Sequence, residues 1–421
     1  AIYGKEIEPT EENLRKLQDG QIDFGSREAN AAAALTFSSG QLSFMRDWQE
    51  LEAMLDRLDR PSLRLAAPDN LGGGWHVNWH CLAHFGFDPA KNPRRRDLGV
   101  HNIFDRYAHR YAESKIDSLH WHFHPLPVSR QANHCATAYF STPAIYEIIS
   151  RRVLERAWFP CVNRPGFHSE RPDSHWFLEQ WMPFDIANNN CLADTFQPDL
   201  NHGRFGDWRR ATTDWEIYRP AHDDYQRPGH CRRHIARCLM LEGRLSPLTA
   251  EEMERAFARA QARPTVMAFA NHDFRDMESG IRFVQGHLRQ LSKRYPSVKW
   301  VYADAAQAMR GCLDLGDAPH ARFTLSIAET GPAAHHLTVS LDRAPFGPQP
   351  WFCYQLADGS VHYDNLDRTM SDLCWSYTFD QQTSELSLVR KIGCATNTAT
   401  GRTSVSVIDM QTGKQQDAFH N

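Results

Sequence analysis

Residues 116–125 read IDSLHWHFHP. Polar and apolar side chains alternate from Ser118 to His124, the period of a β-strand, and Pro125 stops the run. Helical periodicity precedes this strand over 102–113 and follows it over 143–157, where Thr142 is a candidate N-cap and Pro143 takes the first helical position. The same alternation extends outward in both directions. Upstream, AAAALTFSSG from Ala31 reads as a strand, 47–58 as a helix through Trp48, Leu51, Leu55 and Leu58, and SLRLAAPDN as a second strand. The glycine-rich GGGWHVNWHCLAHFGFDP reads as an inserted loop. Downstream, WFPCVNRPGF, FDIANN, TVMAFANHD and VKWVYAD read as strands, separated by helices at 174–181, 249–262 (capped by Thr249) and 280–294. Strands alternating with helices predict parallel βα units, and so many in series predict an α/β fold closed into a barrel.

Beyond Leu315 the period changes. ARFTLSIAE, HHLTVSLD, WFCYQLAD, CWSYTFD, ELSLVRKI and TSVSVIDM are short alternating runs between turn residues, the pattern of an all-β sandwich. The expected organisation is an N-terminal extension over 1–30, with a helix at 11–18, an irregular (β/α) barrel over 31–312 and a β-rich domain over 316–421. Trp351, Tyr354, Trp375 and Tyr377 have two readings, core aromatics or a platform on which sugar rings stack.

Composition narrows the function. Lysine and arginine number 47 against 51 acidic residues, a formal net charge of -4, so no global basic field draws in nucleic acid. Arg94, Arg95 and Arg96 form a short basic run after Pro93, read as a solvated loop. No stretch reaches the roughly 18 apolar residues of a membrane helix. Ten dispersed cysteines without a CxxC pair point to reduced thiols and a cytoplasmic setting, although a signal peptide already removed leaves no trace.

The chemistry concentrates in histidine. On an extended strand His120, His122 and His124 share one face, about 7 Å apart at each step. Three neutral imidazoles on one side suit a divalent transition metal, and equally suit hydrogen bonding at the rim of a polar cavity. His76, His80 and His84 are spaced four apart and would share a face if their segment were helical. Asp69, closing SLRLAAPDN, is either a site carboxylate at the barrel mouth or a turn residue.

The run from Ile116 to Leu119, with His120 and His124-Pro125, resembles the second motif of the polysaccharide deacetylase (NodB-like) family, in which two histidines four apart bind the metal. Arg164-Pro165-Gly166-Phe167 is similar to the third motif, whose arginine orients catalytic groups. TVMAFANHDFRD resembles the fifth, an apolar strand ending in a general-acid histidine. The resemblance spans about residues 31–305. It implies a metal site of His120 and His124, Arg164 as orienting residue, and His272 as general acid with Asp273 or Asp276 beside it. Asp207 or Asp214 would hold an arginine. The first motif departs from the family: where two aspartates are expected, Ser38 and Ser39 stand, so Asp69 is the candidate replacement as base and ligand. The implied function is zinc-dependent removal of an N-acyl group, acetyl by the resemblance, from an amino sugar or polysaccharide. The alternative is a non-catalytic carbohydrate-binding or assembly protein that has lost the aspartate pair.

Overall fold

A computed structural model describes residues 5–8, 10–37, 45, 47–83, 85–88, 90, 99–114, 116–131, 139–191, 206–242 and 246–420. Ser38, Ser39, Gly40, His84 and Arg94 to Arg96 lie outside the described residues.

The N-terminal helix α1 (Glu11–Gln18) is capped by the Thr10 hydroxyl, which accepts from Asn13 N at 3.2 Å. The alanine-rich run expected as the first barrel strand is instead part of helix α2 (Arg27–Phe37). Alanine is the strongest helix former, and Ser26 Oγ accepts from Ala29 N at the start of the helix. Helix α3 (Trp48–Leu58) forms as expected and buries Leu51, Met54, Leu55 and Leu58. SLRLAAPDN is not a strand either: Pro61 opens the short helix α4 (Pro61–Arg64), and a turn follows.

The first strand of the sheet lies in the segment read as a loop. Strand β1 (Asn78–Leu82) pairs in parallel with β2 (Ser118–His122), with His80 opposite His120 and Leu82 opposite His122. Helix α5 (Asn102–Arg110) makes the crossover between them. A parallel bridge from Phe123 to Pro165 links β2 to the segment after β3 (Val162–Asn163). The strands β4 (Phe184–Asn188), β5 (His234–Met240) and β6 (Ala268–Ala270) continue in parallel and in chain order. Helices α6 (Ala144–Arg156), α7 (Pro172–Trp181) and α8 (Ala250–Ala260) fill the crossovers, and α9 (Glu278–Arg294) and α10 (Ala305–Leu313) follow β6. Neighbours in sequence are therefore neighbours in the sheet, the winding of a barrel wall.

This wall is a parallel half-barrel, and its ladder stays open. VKWVYAD forms no strand; it lies along the turn before β1, with Asn70 N donating to Trp300 O (3.1 Å) and Tyr302 N to Asp69 Oδ2 (3.0 Å). Among the described residues no backbone hydrogen bond joins 264–272 to 298–304. In this seam the Trp75 ring stands between Phe269 and Tyr302, at 5.6 and 5.5 Å between centroids.

The C-terminal segment is antiparallel, as its period predicts. One sheet is formed by β9 (Trp351–Leu356), β10 (Val361–Asp364), β13 (Val389–Asn397), β14 (Thr403–Asp409) and β15 (Lys414–His420). The other is formed by β7 (Phe323–Gly331), β8 (Ala334–Leu341), β11 (Asp367–Arg368) and β12 (Cys374–Phe379). Phe352, Tyr354, Ile392, Trp375, Tyr377 and Phe379 share the core of this lobe. The other face of the first sheet packs on α6, where Trp351 Nε1 donates to Ser150 Oγ at 3.2 Å. Trp351, Tyr354, Trp375 and Tyr377 are all buried, which removes the sugar-platform reading: these rings are core. No helix among the described residues is long and apolar enough to cross a membrane.

Candidate functional site

On β1, β2 and the residue that follows β2, the apolar set Trp79, Cys81, Trp121 and Phe123 is buried in the main core. The alternate set, Asn78, His80, Ser118, His120 and His122, therefore projects to the other side of the sheet. A cavity of about 1620 Å³ opens there, lined by His80, His122, His124, Arg164, His168 and His272 among others. Of the candidate site residues His124, Arg164 and His272 line it, as do Asp69 and Asp273.

Hydrogen bonds to backbone carbonyls orient several of the imidazoles. His80 Nδ1 lies 2.9 Å from Trp121 O, His122 Nδ1 2.6 Å from Arg164 O, and His168 Nδ1 3.1 Å from Ala187 O. A carbonyl only accepts, so each Nδ1 carries the proton and each Nε2 presents a lone pair. Burial pushes all three well below the ordinary histidine range. His120 adds to this at His80, His124 and Arg164 at His122, and Arg164 at His168. They are neutral at pH 7. His80 Nε2 is buried with no hydrogen-bond partner among the described residues, and His168 Nε2 accepts from Arg164 at 3.1 Å.

The expected metal pair is rearranged. His120 stacks on His80 (5.0 Å, 26°), and its Nε2 lies within 2.9 Å of Asp304 Oδ2 and Asn78 Oδ1 and 3.1 Å from Ser118 Oγ. Burial alone would raise the Asp304 pKa; the facing His120 and the amide of Gln307 hold it well below the usual carboxylate range. His124 instead meets His122, with the two Nε2 atoms 3.0 Å apart. Two imidazole nitrogens on one tetrahedral zinc, at about 2.0–2.1 Å each, stand roughly 3.3 Å apart, so this pair suits a shared divalent ion. The carbonyl holding His122 Nδ1 is the usual support of a histidine ligand. Among the described residues no group of three or more His, Cys, Asp or Glu is arranged to hold a metal, so the seat they offer is a pair.

Gly166 makes room for that pair. A Cβ at this position would lie 2.3 Å from His124 Cδ2, and the Phe167 ring then packs edge-on against the imidazole at 4.7 Å.

Asp69 does not join the histidines. Its carboxylate accepts from the amides of Leu71 (2.9 Å), Gly73 (2.7 Å) and Tyr302 (3.0 Å), the turn role, while one wall of the cavity runs beside it. His76, off any helix, meets Ser118 Oγ at 3.2 Å. Asp276 pairs with Arg57 rather than standing beside His272; Asp207 and Asp214 each hold an arginine, Arg209 and Arg259, and neither pairs with Arg164.

His272 lies in the cavity but with electrostatics opposite to expectation. Burial, then Arg164 and Arg275, push it down to about 3, and Asp273 opposes them only weakly. Asp273 accepts from Tyr107 OH at 2.5 Å, and His272 Nδ1 has no hydrogen-bond partner among the described residues. A neutral imidazole at rest starts without the proton that a general acid donates.

Arg164 is buried, and among the described residues no carboxylate pairs with it. Its guanidinium reaches His168 Nε2, Met240 Sδ (3.2 Å) and Pro165 O (3.3 Å), and its Nε has no partner there. Buried guanidinium groups are normally matched by carboxyl groups, as Arg233 is by Glu170 and Asp185 and Arg237 by both oxygens of Glu252, whereas Arg152 meets His101 instead. Sequence reasoning missed His168, Asp304 and these two arginines. His168 stands four residues after Arg164, a spacing that was legible; Asp304 meets His120 across 184 positions, which no local pattern signals.

No family model, curated protein or solved structure matches the chain.

Proposed function

We propose that this cavity is the active site of a hydrolase that removes an N-acyl group from an amino sugar or polysaccharide, on an irregular barrel of the polysaccharide deacetylase type. The observation that carries the reading is Arg164, a buried cation without a carboxylate among the described residues, opening on a cavity of neutral imidazoles. When water adds to an amide, negative charge develops on the carbonyl oxygen. A fixed cation in a site shielded from solvent favours that state over the neutral ground state.

His122 and His124 would hold a divalent ion, zinc by donor type. Bound there, it would supply Lewis-acid polarisation of the acyl carbonyl. His272, neutral at rest, takes the proton from the attacking water and delivers it to the departing nitrogen. One C–O bond forms, the C–N bond breaks, and the products are a carboxylic acid and a free amine. Negative charge developing beside His272 raises its proton affinity at that moment, which offsets the depression imposed by Arg164 and Arg275.

The second reading, a non-catalytic carbohydrate-binding or assembly protein, draws on Asp69 being committed to backbone amides and on the two-donor seat. Hydrolysis of N-acetylated sugars by the full chain, with zinc or cobalt supplied, separates them. The expected result is turnover that falls roughly 10²- to 10³-fold in Arg164→Met with an unchanged circular dichroism spectrum. No turnover by the parent on any acylated sugar, with sugar binding retained, supports the second reading.

A further inference from the structure

The reaction centre occupies only one part of the cavity. The same cavity continues into the open seam between 264–272 and 298–304, where its walls are Val266, Phe269, Phe257, Leu288, Val298 and Trp300. At about 1620 Å³ it exceeds the roughly 300–1,000 Å³ of ordinary small-ligand sites, and far exceeds what an acetyl group on one sugar needs. A stretch of nine residues such as 264–272 spans roughly 26 Å when extended, so the seam is long as well as apolar. Trp75 contacts one ring on each side of the seam, Phe269 and Tyr302.

A polysaccharide needs hydrogen-bonding partners along its length, whereas apolar side chains predominate in these walls, with Thr265, Lys299 and the unpaired backbone edge of β6 as the polar exceptions. An occupant that fits the whole space has a polar, scissile end among the histidines and a linear apolar tail. We infer that the seam binds a long aliphatic acyl chain, so that the substrate class is an N-acylated amino sugar carrying a fatty rather than an acetyl group. This inference rests on the hydrolase reading for the chemistry of the polar end, and on the seam alone for the tail.

The test uses the full chain and a glucosamine series N-acylated with acetyl, butanoyl, hexanoyl, octanoyl and decanoyl groups, measuring kcat/KM and, by calorimetry, Kd. Each buried methylene should tighten binding about fourfold until the seam is filled. Ala308→Trp, on α10, and Ala260→Trp, at the end of α8, each place a ring in the seam away from the histidines. Both should leave the acetyl substrate within about twofold of the parent and erase the gain from longer chains. Two substitutions from different helices guard against one that does not fold. Affinity independent of chain length in the parent overturns the inference, as does an unchanged chain-length gradient in both folded variants. If no member is hydrolysed but Kd still follows chain length and responds to the tryptophans, the seam stands and the hydrolase reading falls.

Discussion

Lowering the pH from 7.5 to 5.0 should weaken this fold before its surface carboxylates protonate. The groups responsible are histidines kept neutral in the folded state. His175 is almost wholly buried and is held at about 4 by burial and by Arg233, whose guanidinium lies 2.8 Å from Nδ1. His234 is held at about 4 by burial and by Arg219, and His272 at about 3 by burial, Arg164 and Arg275, against Asp273. In the unfolded chain each returns to about 6.5. Unfolding therefore takes up protons between the folded and unfolded values. The stabilisation is complete above about 6.5 and is lost as pH falls toward the folded pKa. At pH 5 each of the three costs about 1–2 kcal/mol after allowance for partial solvent screening, so about 3–6 kcal/mol together. Glu170, pushed up to about 8 by burial despite Arg233, works in the opposite sense. Its folded form holds a proton that the unfolded form releases between about pH 4.5 and 8, so acidification in that window stabilises it and returns part of the loss. Glu170 returns about 3 kcal/mol over this interval, so the net fall is expected at no more than about 3 kcal/mol, against the roughly 5–15 kcal/mol typical of folded chains. Urea unfolding followed by tryptophan fluorescence at pH 7.5, 6.5 and 5.0 measures it, with His234→Gln expected to flatten the slope by about 1–2 kcal/mol. A stability clearly greater at pH 5 than at pH 7.5, or the same slope in the variant, would refute the account.

Gly166→Ala should displace His124, because its new methyl overlaps the imidazole; bound zinc or cobalt should drop below half the parent's while the melting temperature shifts by only a few degrees, read by metal analysis beside calorimetry. Glu252→Gln strips the full charge from the carboxylate that binds Arg237 through both oxygens and Arg255 at its side, and should cost about 3–5 kcal/mol in chemical denaturation. A cost below 1 kcal/mol would show that the buried Arg237 finds other partners. Asp304→Asn leaves His120 without its anionic partner and removes a charge from the start of α10; a loss of about 1–3 kcal/mol is expected, and no loss would deny the pair a structural role.

What the sequence disclosed follows from how local each signal is. Strand β2, the helices between 102 and 294 and the change of period after 315 rest on runs of five or more residues whose alternation or capping is complete within the run. Strand β1 was hidden because glycines at 72–74 and 86 bracket it and its own apolar residues alternate with Asn78 and His80, which line the cavity. Strand β5 was hidden by Arg237 inside it and Arg233 at its entrance. Charges of this kind exclude a buried strand unless partners cancel them, and Glu170, Asp185 and Glu252 come from other elements. In the site, His124, Arg164 and His272 were legible because each stands at or near the end of a run read as a strand. Asp69 misled because a carboxylate that closes a turn and one that serves a reaction look alike before the amides around it are known.

The open edge of β6 has a bearing on how this chain behaves in a crowded solution. An unpaired strand edge is ordinarily a template on which another chain can add a strand, the first step toward aggregates. Here the edge faces a space lined by residues of α8, α9 and α10 as well as the 298–304 segment, so the exposed row of amides and carbonyls looks into its own molecule. The chain can keep its wall unclosed without offering a sticky rim to its neighbours.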